Sequence, residues 1–238
     1  MQLWCTHLPW DPTRFYNVLY QYGANTYAED KKTVVLDSPE AVEATEFVWK
    51  LAFEYRVAPA LPAVPSMWKG EVSMFLDGIW SLKPAQENRE KGMVNLQVAR
   101  ADSIYGSARK GIRVGTHEMT IPKQKNEDPE RLEAAKAFVR FVSDNNIIWA
   151  EHGQLPVRRD AIGSSRFAQL SDHLIIADQS FVYLPSPPWG YGWGALDTLL
   201  KRVADPGRKD HMAAEGAVQL AAETLRNEVK TYYDNLSK

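Results

Sequence analysis

The residues of this sequence best suited to chemistry are aromatic side chains that stand beside glycines. One ring follows the dipeptide Asp77-Gly78, and three more belong to the segment 183–194, which also holds three prolines and three glycines. Glycine and proline interrupt regular structure, so these rings are predicted to lie on loops. The four rings are Trp80, Trp189, Tyr191 and Trp193.

An exposed ring of this type can stack on the C–H face of a sugar, while neighbouring polar groups bond the hydroxyls. The alternative is that these rings belong to the core, because Trp is highly buried on average. Composition alone favours the core for any single Trp.

Signals for catalytic or metal chemistry are weak. The five histidines are scattered, and none pairs with another at the i,i+4 spacing, with a glutamate between them, that a zinc-protease helix needs. The single cysteine, Cys5, lies near the terminus, where it makes a poor nucleophile. No G-x-S-x-G elbow is present. We therefore predict neither a metal site, nor a cofactor, nor an enzyme.

The segment 190–195 matches the dinucleotide fingerprint G-x-G-x-x-A. That fingerprint needs a strand directly before it, but here three prolines precede it, and proline does not fit a central strand. Trp193 inside the turn would also obstruct a pyrophosphate. Nucleotide binding is therefore not favoured.

Composition excludes several further classes. The chain has 238 residues, 45% of them hydrophobic, which is enough for a sizeable core. A net charge of −2 gives no attraction for nucleic acid. No apolar run is long enough to span a membrane, and residues 1–12 lack the pattern of a signal peptide. A lone cysteine cannot form an internal disulfide.

Helical signals are clear at several points. A short helix is predicted over 15–21, with Gly23 as its end. Ser38-Pro39-Glu40 is typical of a helix start, and the apolar spacing after it predicts a helix over 39–56. Two more helices are predicted over 195–203 and from about 212 to 236. Another begins near Pro129, with a buried stripe formed by Ala134, Ala137, Phe138, Phe141 and Val142.

Strand signals are fewer and shorter. Alternation and β-branched residues predict strands over 33–36, 95–100 and 112–121, and a short helix leading into a strand over 67–76. Few short strands separated by long helices favour an α/β chain with crossover connections.

The order of several motifs resembles that of family 1 extracellular solute-binding proteins of ABC importers, the maltose-binding-like group. Five segments carry the resemblance across about 200 residues, and together they are fairly specific although no single one is. The segments are FYNVLYQYGA from Phe15, DSPEA from Asp37, GEVSMFLDGIW from Gly70, GTHEMTIPK from Gly115 with AAKAFVRFVS from Ala134, and HGQLPVR from His152.

This resemblance implies a periplasmic-binding-protein-like type II fold, in which two lobes close on a solute that a membrane permease then receives. The second lobe would comprise 1–106 and 161–238, and 107–160 would be the returning segment of the first lobe. Most of the first lobe and a signal peptide are then expected to be missing, so that one wall of the cleft is absent. Family members act in the periplasm or outside the cell.

The resemblance also implies roles for individual residues. Trp80 would be a stacking platform in the cleft, and Trp193 would face the cleft from the same lobe. Arg158 would either contact ligand or pair with a carboxylate that holds its lobe together. The remaining candidates for ligand contact are Asp77, His117, Glu118, Trp189 and Tyr191.

Three functions therefore compete. The first is a carbohydrate-binding subunit of an importer, although a polyol or glycerol phosphate would use a similar pocket. The second is a glycan-acting enzyme, for which Asp77, Glu118 and Asp178 are conceivable carboxylates whose spacing does not demand that role. The third is a non-transport or degraded interaction module.

Overall fold

The computed structural model describes residues 4–7, 11–61, 66–115, 118–126, 128–184 and 192–237. They fall into two compact units. Unit 1 spans 1–76, 101–114 and 180–238, and unit 2 spans 77–100 and 115–179. The predicted lobe boundaries, after 106 and after 160, do not coincide with these limits, and the assignment of either unit to a lobe stays a prediction.

Helices dominate the described residues. In unit 1 they are α1 (Pro12–Tyr22), α2 (Pro39–Phe53), α8 (Trp193–Ala204) and α9 (Ala214–Leu236). In unit 2 they are α3 (Leu82–Glu90), α4 (Pro129–Asp144), α5 (Asn146–Glu151), α6 (Arg159–Ile162) and α7 (Ser171–Ala177). Short 3₁₀ turns lie at Met67–Lys69, Ile79–Ser81 and Phe167–Gln169.

Two small parallel sheets accompany the helices of unit 1. β1 (Trp4–His7) pairs with β2 (Val72–Phe75), and β3 (Ile112–Arg113) pairs with β4 (Phe181–Val182). In both pairs the two strands lie far apart in sequence, as a crossover architecture requires. No described helix has the length and apolar character needed to cross a membrane.

Local sequence explains the first two helices. The Asp11 carboxylate accepts a hydrogen bond from the Arg14 backbone N–H at the start of α1, and Gly23 ends the helix with φ of 99°. The Ser38 Oγ caps α2 by accepting from the Ala41 N–H at 3.3 Å. Both helices place proline directly after the cap, as predicted for α2. α2 ends at Phe53, three residues earlier than predicted.

The core of unit 1 is built from the first and last helices of the chain. α1 and α2 contribute fully buried apolar side chains, and α8 and α9 pack against them. The predicted apolar face of α8 is confirmed, since Leu196, Leu199, Leu200 and Val203 are all buried. Members from the other three helices include Phe15, Val18, Leu19, Ala44, Val48, Val218, Ala222 and Leu225.

Polar side chains of α1 hold the segment 101–114 against this core. Gln21 is fully buried, and its Nε2 donates to the carbonyls of Ala101 at 2.8 Å and Gly111 at 3.0 Å. Its Oε1 accepts from the Tyr105 N–H at 2.8 Å. One turn earlier, the Asn17 Oδ1 accepts from the Arg113 N–H at 2.6 Å. Two α1 side chains thus satisfy four backbone groups of a segment that forms almost no regular structure itself.

Unit 2 is smaller and centres on Phe167, Ala150 and His173, which are almost fully buried. Phe167 and His173 meet edge to face, with ring centroids 6.2 Å apart. Burial lowers the pKa of His173, an effect that the Ala150 backbone and the Asp172 carboxylate only partly oppose. Burial alone would raise the pKa of Asp172, but hydrogen bonds from Arg89 and Gln86 outweigh it, so that pKa lies below its usual value.

The short helix and strand predicted over 67–76 are confirmed as the 3₁₀ turn Met67–Lys69 and β2. Two other strand predictions are wrong, and a third is confirmed only at its start. Residues 33–36 contribute only an isolated bridge between Tyr27 and Val34. Beside this bridge, the Val35 N–H donates to the Thr26 carbonyl at 3.1 Å, while the Asp30 carboxylate accepts from the Lys32 and Thr33 backbone N–H groups. Residues 95–100 form no strand, and of 112–121 only Ile112–Arg113 pairs in the part of that stretch the structure describes.

The predicted buried stripe of α4 is also wrong, although the helix itself is confirmed. Ala134, Ala137, Phe138, Phe141 and Val142 are all exposed, and no residue of α4 is buried. The less exposed residues of the helix, among them Ala135 and Val139, lie on a different side of it. The apolar spacing thus predicts an amphipathic helix correctly, while its apolar side lies open to solvent.

Candidate functional site

Trp80 lies in the 3₁₀ turn Ile79–Ser81 of unit 2, and its indole covers the backbone of Gly78. A Cβ atom added at residue 78 would stand only 2.1–2.2 Å from three carbons of the ring. Only glycine therefore permits this contact, which explains the spacing Gly78-x-Trp80. The side chain is nonetheless 59% exposed. One part of the ring is thus supported by backbone while much of it remains available to a ligand.

Asp77 is engaged by its own turn. Its Oδ1 accepts from the Gly78 N–H at 2.8 Å, and its Oδ2 accepts from the Ser81 hydroxyl. These bonds fix the turn that carries Trp80 and lead into α3. Asp77 and Trp80 thus belong to one turn, and their roles as ligand contacts stay predictions.

Arg158 is held by two carboxylates. Its Nη1 donates to Asp144 at 2.6 Å, while Nε and Nη2 grip both oxygens of Asp160 at 3.0 and 2.6 Å. This fork raises the pKa of Arg158 and lowers that of Asp160 to about 2. Of the two roles expected for Arg158, this geometry fits the pairing with a carboxylate. Contact between Arg158 and a ligand stays a prediction.

Trp193 begins α8 in unit 1, directly after Gly192, whose φ is 63°. The side chain is 48% exposed. A Cβ at residue 192 would meet Leu225 at 2.4 Å, so this glycine packs tightly against α9. Trp193 is thus a half-exposed ring on a rigid helix end, and its role in ligand binding stays a prediction.

The other candidates differ in what the structure says of them. Glu118 is exposed in unit 2. His117, Trp189 and Tyr191 lie outside the described residues. Sequence reasoning did not select Tyr183, which follows β4 in unit 1 and is largely exposed. The sequence could have pointed to Tyr183, because this residue opens the aromatic segment 183–194 that also contains Trp193.

The described residues contain no group of three or more His, Cys, Asp or Glu side chains arranged to hold a metal ion. What the described groups offer is a supported indole beside a turn-fixed carboxylate. That pair suits a neutral hydroxylated ligand, because the ring can stack on C–H groups while the acceptor bonds hydroxyls.

Comparison with solved structures identifies the fold. The described architecture is that of the type II, two-lobe solute-binding proteins, and the chain corresponds to a part of it. The expectation drawn from the motif order is thereby confirmed for the fold. No protein-family model matches the sequence, and no curated protein matches it.

Three of these structures show how similar the folds and sequences are. The maltose/maltodextrin-binding domain of Bdellovibrio bacteriovorus, bound to maltotriose, matches with a TM-score of 0.74 at 17% identity, over 96% of this chain and 61% of its own. The cyclic α-maltosyl-1,6-maltose binding protein of Arthrobacter globiformis matches at 0.71 and 16%, over 95% and 60%. An ABC-transporter solute-binding protein of Thermotoga lettingae, bound to α-D-tagatose, matches at 0.67 and 18%, also over 95% and 60%.

The shares of length are unequal in every case. Nearly all of this chain finds a counterpart, whereas the chain spans only about 60% of its neighbours' length. The neighbours therefore carry a substantial portion of polypeptide that has no counterpart here.

Proposed function

We propose that this chain belongs to the carbohydrate-binding component of an ABC importer, and that Trp80 is a stacking platform for a neutral saccharide. The observation that carries the proposal is the Trp80 ring, supported by the backbone of Gly78 and still 59% exposed, within a fold whose neighbours were solved with bound sugars. Asp77 and Glu118 are proposed to bond hydroxyl groups, and Trp193, which lies in unit 1, is proposed by itself as a ring that can stack on a ligand.

Binding without turnover is the favoured activity. Hydrolysis of a glycosidic bond needs two carboxyl groups placed across it, one as acid and one as nucleophile or base. Asp77 is bonded to its own turn instead, and Asp178, imagined earlier as a catalytic carboxylate, pairs with Arg100. The neighbours are binding proteins as well.

The ligand is then proposed to pass to a membrane permease, outside the cytoplasm. Fractionation of source cells tests the location, and a protein found only in the cytoplasm would argue against import.

Titration with saccharides tests the binding. Maltotriose and D-tagatose are added to the chain, and heat and Trp fluorescence are measured. Saturable binding is expected, with Trp80→Ala raising Kd about tenfold, which corresponds to about 1.4 kcal/mol. Trp68→Ala is the matched control, because Trp68 is also partly exposed and also lies in a 3₁₀ turn. Equal loss in both variants, absence of any binding, or appearance of cleaved product would each contradict the proposal.

A further inference from the structure

The second half of α9 carries a groove that the site proposed around Trp80 does not use. Its volume is about 590 Å³, within the roughly 300–1,000 Å³ that is typical of small-molecule pockets. Every described residue that lines it belongs to α9 in unit 1, whereas Trp80 lies in unit 2. We call these lining residues the α9 groove. They are Thr224, Asn227, Glu228, Thr231, Tyr232 and Asn235.

The residues of the α9 groove form one face of the helix. They follow one another at i, i+3, i+4, i+7, i+8 and i+11, so the face is roughly 16 Å long. Thr and Asn occupy four of the six positions, although both are among the poorer helix formers. Strong helix formers such as Glu, Lys and Arg are the usual choice for an exposed helix face. Helix stability therefore does not explain this row of uncharged hydroxyl and amide groups.

The polar side chains of the α9 groove present defined hydrogen-bonding groups. The Thr224 hydroxyl donates to the Leu220 carbonyl at 2.8 Å, and the Thr231 hydroxyl donates to the Asn227 carbonyl at 2.8 Å. Their hydrogens are engaged in these bonds, so their oxygens face the groove as acceptors. Each Asn side chain adds an amide that donates two hydrogen bonds and accepts others. The Thr methyl groups and the Tyr232 ring offer apolar contact between these polar groups.

Glu228 is the charged member of the α9 groove. The basic side chains nearest to it in sequence bind other acids, since Arg226 pairs with Asp37 at 2.6 Å and Lys230 pairs with Asp234 at 2.8 Å. Glu228 itself makes no ion pair within the part of the chain that the structure describes, and partial burial raises its pKa. Its carboxylate therefore offers acceptor oxygens to a hydroxyl donor and repels an anion.

The chemistry of the α9 groove selects one class of ligand. One carboxylate supplies too few oxygen ligands for a divalent cation, and the uncharged lining has no basic group to hold a phosphate. The polar lining also differs from the apolar centre of a typical protein interface. We propose that the α9 groove binds a neutral hydroxylated molecule, a polyol or a short saccharide. Its hydroxyls donate to Glu228 and to the Thr oxygens, and they accept from the Asn amides. This site shares no residue with the one proposed around Trp80.

Nuclear magnetic resonance of the ¹⁵N-labelled chain tests the proposal, because side-chain signals report on the two sites separately. Sorbitol and maltotriose are the probes, and the side-chain amide signals of Asn227 and Asn235 are followed during each titration. We expect at least one probe to shift both signals saturably, and the probe that binds more tightly decides between polyol and saccharide. Glu228→Gln should raise the Kd at least about fivefold, because a hydrogen bond to a charged acceptor becomes one to a neutral acceptor.

Glu223→Gln supplies the matched control. Glu223 is an exposed glutamate of the same helix, about 140° around the helix axis from Glu228 and outside the α9 groove. This variant should bind like the parent chain. Amide signals that neither probe shifts, or that shift without saturation, would overturn the proposal, as would an unchanged Kd in Glu228→Gln.

The Trp80 indole N–H signal in the same spectra reports on the proposed function by itself. Amide shifts that persist in Trp80→Ala support a site in the α9 groove, even where the indole of the parent chain does not respond. Amide shifts that disappear in Trp80→Ala would overturn the proposal, because the probe would then bind only at Trp80.

Discussion

Replacement of Gln21 by Met should destabilise unit 1 more than any exposed substitution of the same type. The amide makes three hydrogen bonds at 2.8–3.0 Å, to Ala101, Gly111 and Tyr105, and it is fully buried. Met fills a similar volume but leaves two carbonyls and one N–H without that partner. A hydrogen bond of this kind contributes about 1 kcal/mol net, so the loss of all three should lower the free energy of unfolding by about 3 kcal/mol.

Urea denaturation followed by circular dichroism measures the effect. A loss of about 3 kcal/mol is a large part of the roughly 5–15 kcal/mol that stabilises a typical domain. Gln219→Met is the matched control, because Gln219 is a helical but exposed residue of the same unit. The control should change stability by less than about 0.5 kcal/mol. A loss below about 1 kcal/mol for Gln21→Met, at unchanged denaturant dependence, would show that the three bonds do not anchor the segment 101–114.

Other perturbations follow from local geometry. Ser38→Ala removes the cap of α2 and should lower the free energy of unfolding, measured by urea denaturation, by about 1 kcal/mol. An unchanged urea midpoint would mean that the cap does not stabilise the protein. Gly153→Ala should lower the thermal midpoint, because φ is 93° and a Cβ would stand 2.9 Å from Lys83; a stable variant would contradict that packing. His173 has a lowered pKa when folded, so its contribution to stability is complete above the unfolded value of about 6.5 and is lost as pH falls through the folded pKa. His173→Phe should flatten this acid dependence of the unfolding free energy, and an unchanged pH curve for the variant would refute the assignment.

Helices were predictable from the sequence because their signals are local. The cap, the proline and the apolar spacing of α2 all lie within the helix that they specify. Strands were predicted only in part, since pairing depends on residues far along the chain. The short helix and strand expected over 67–76 are present as the 3₁₀ turn Met67–Lys69 and β2, whereas the strand expected over 33–36 amounts to a single bridge.

The candidate site shows a similar division. The motif Asp77-Gly78-x-Trp80 predicts a ring at a break in structure, and the ring is there. Sequence spacing does not encode the side-chain geometry of the hydrogen bonds nearby. The Ser81 hydroxyl donates to Asp77, and Arg158 donates to Asp144 and Asp160. Likewise, the apolar spacing of α4 predicts an amphipathic helix, but it does not show that the apolar side lies exposed.

The order in which the ribosome makes this chain bears on how unit 1 reaches its native state. α1 and α2 are translated well before α8 and α9, the helices that cover their apolar sides. About 140 residues separate the end of α2 from the start of α8, which at ~5–20 residues per second is a delay of roughly 10–30 s. During that interval the nascent chain exposes Phe15, Leu19 and Val48 without their native cover. Unit 1 should therefore fold only after α8 and α9 have been translated, and it should depend on chaperones more strongly than a domain whose core helices are adjacent in sequence.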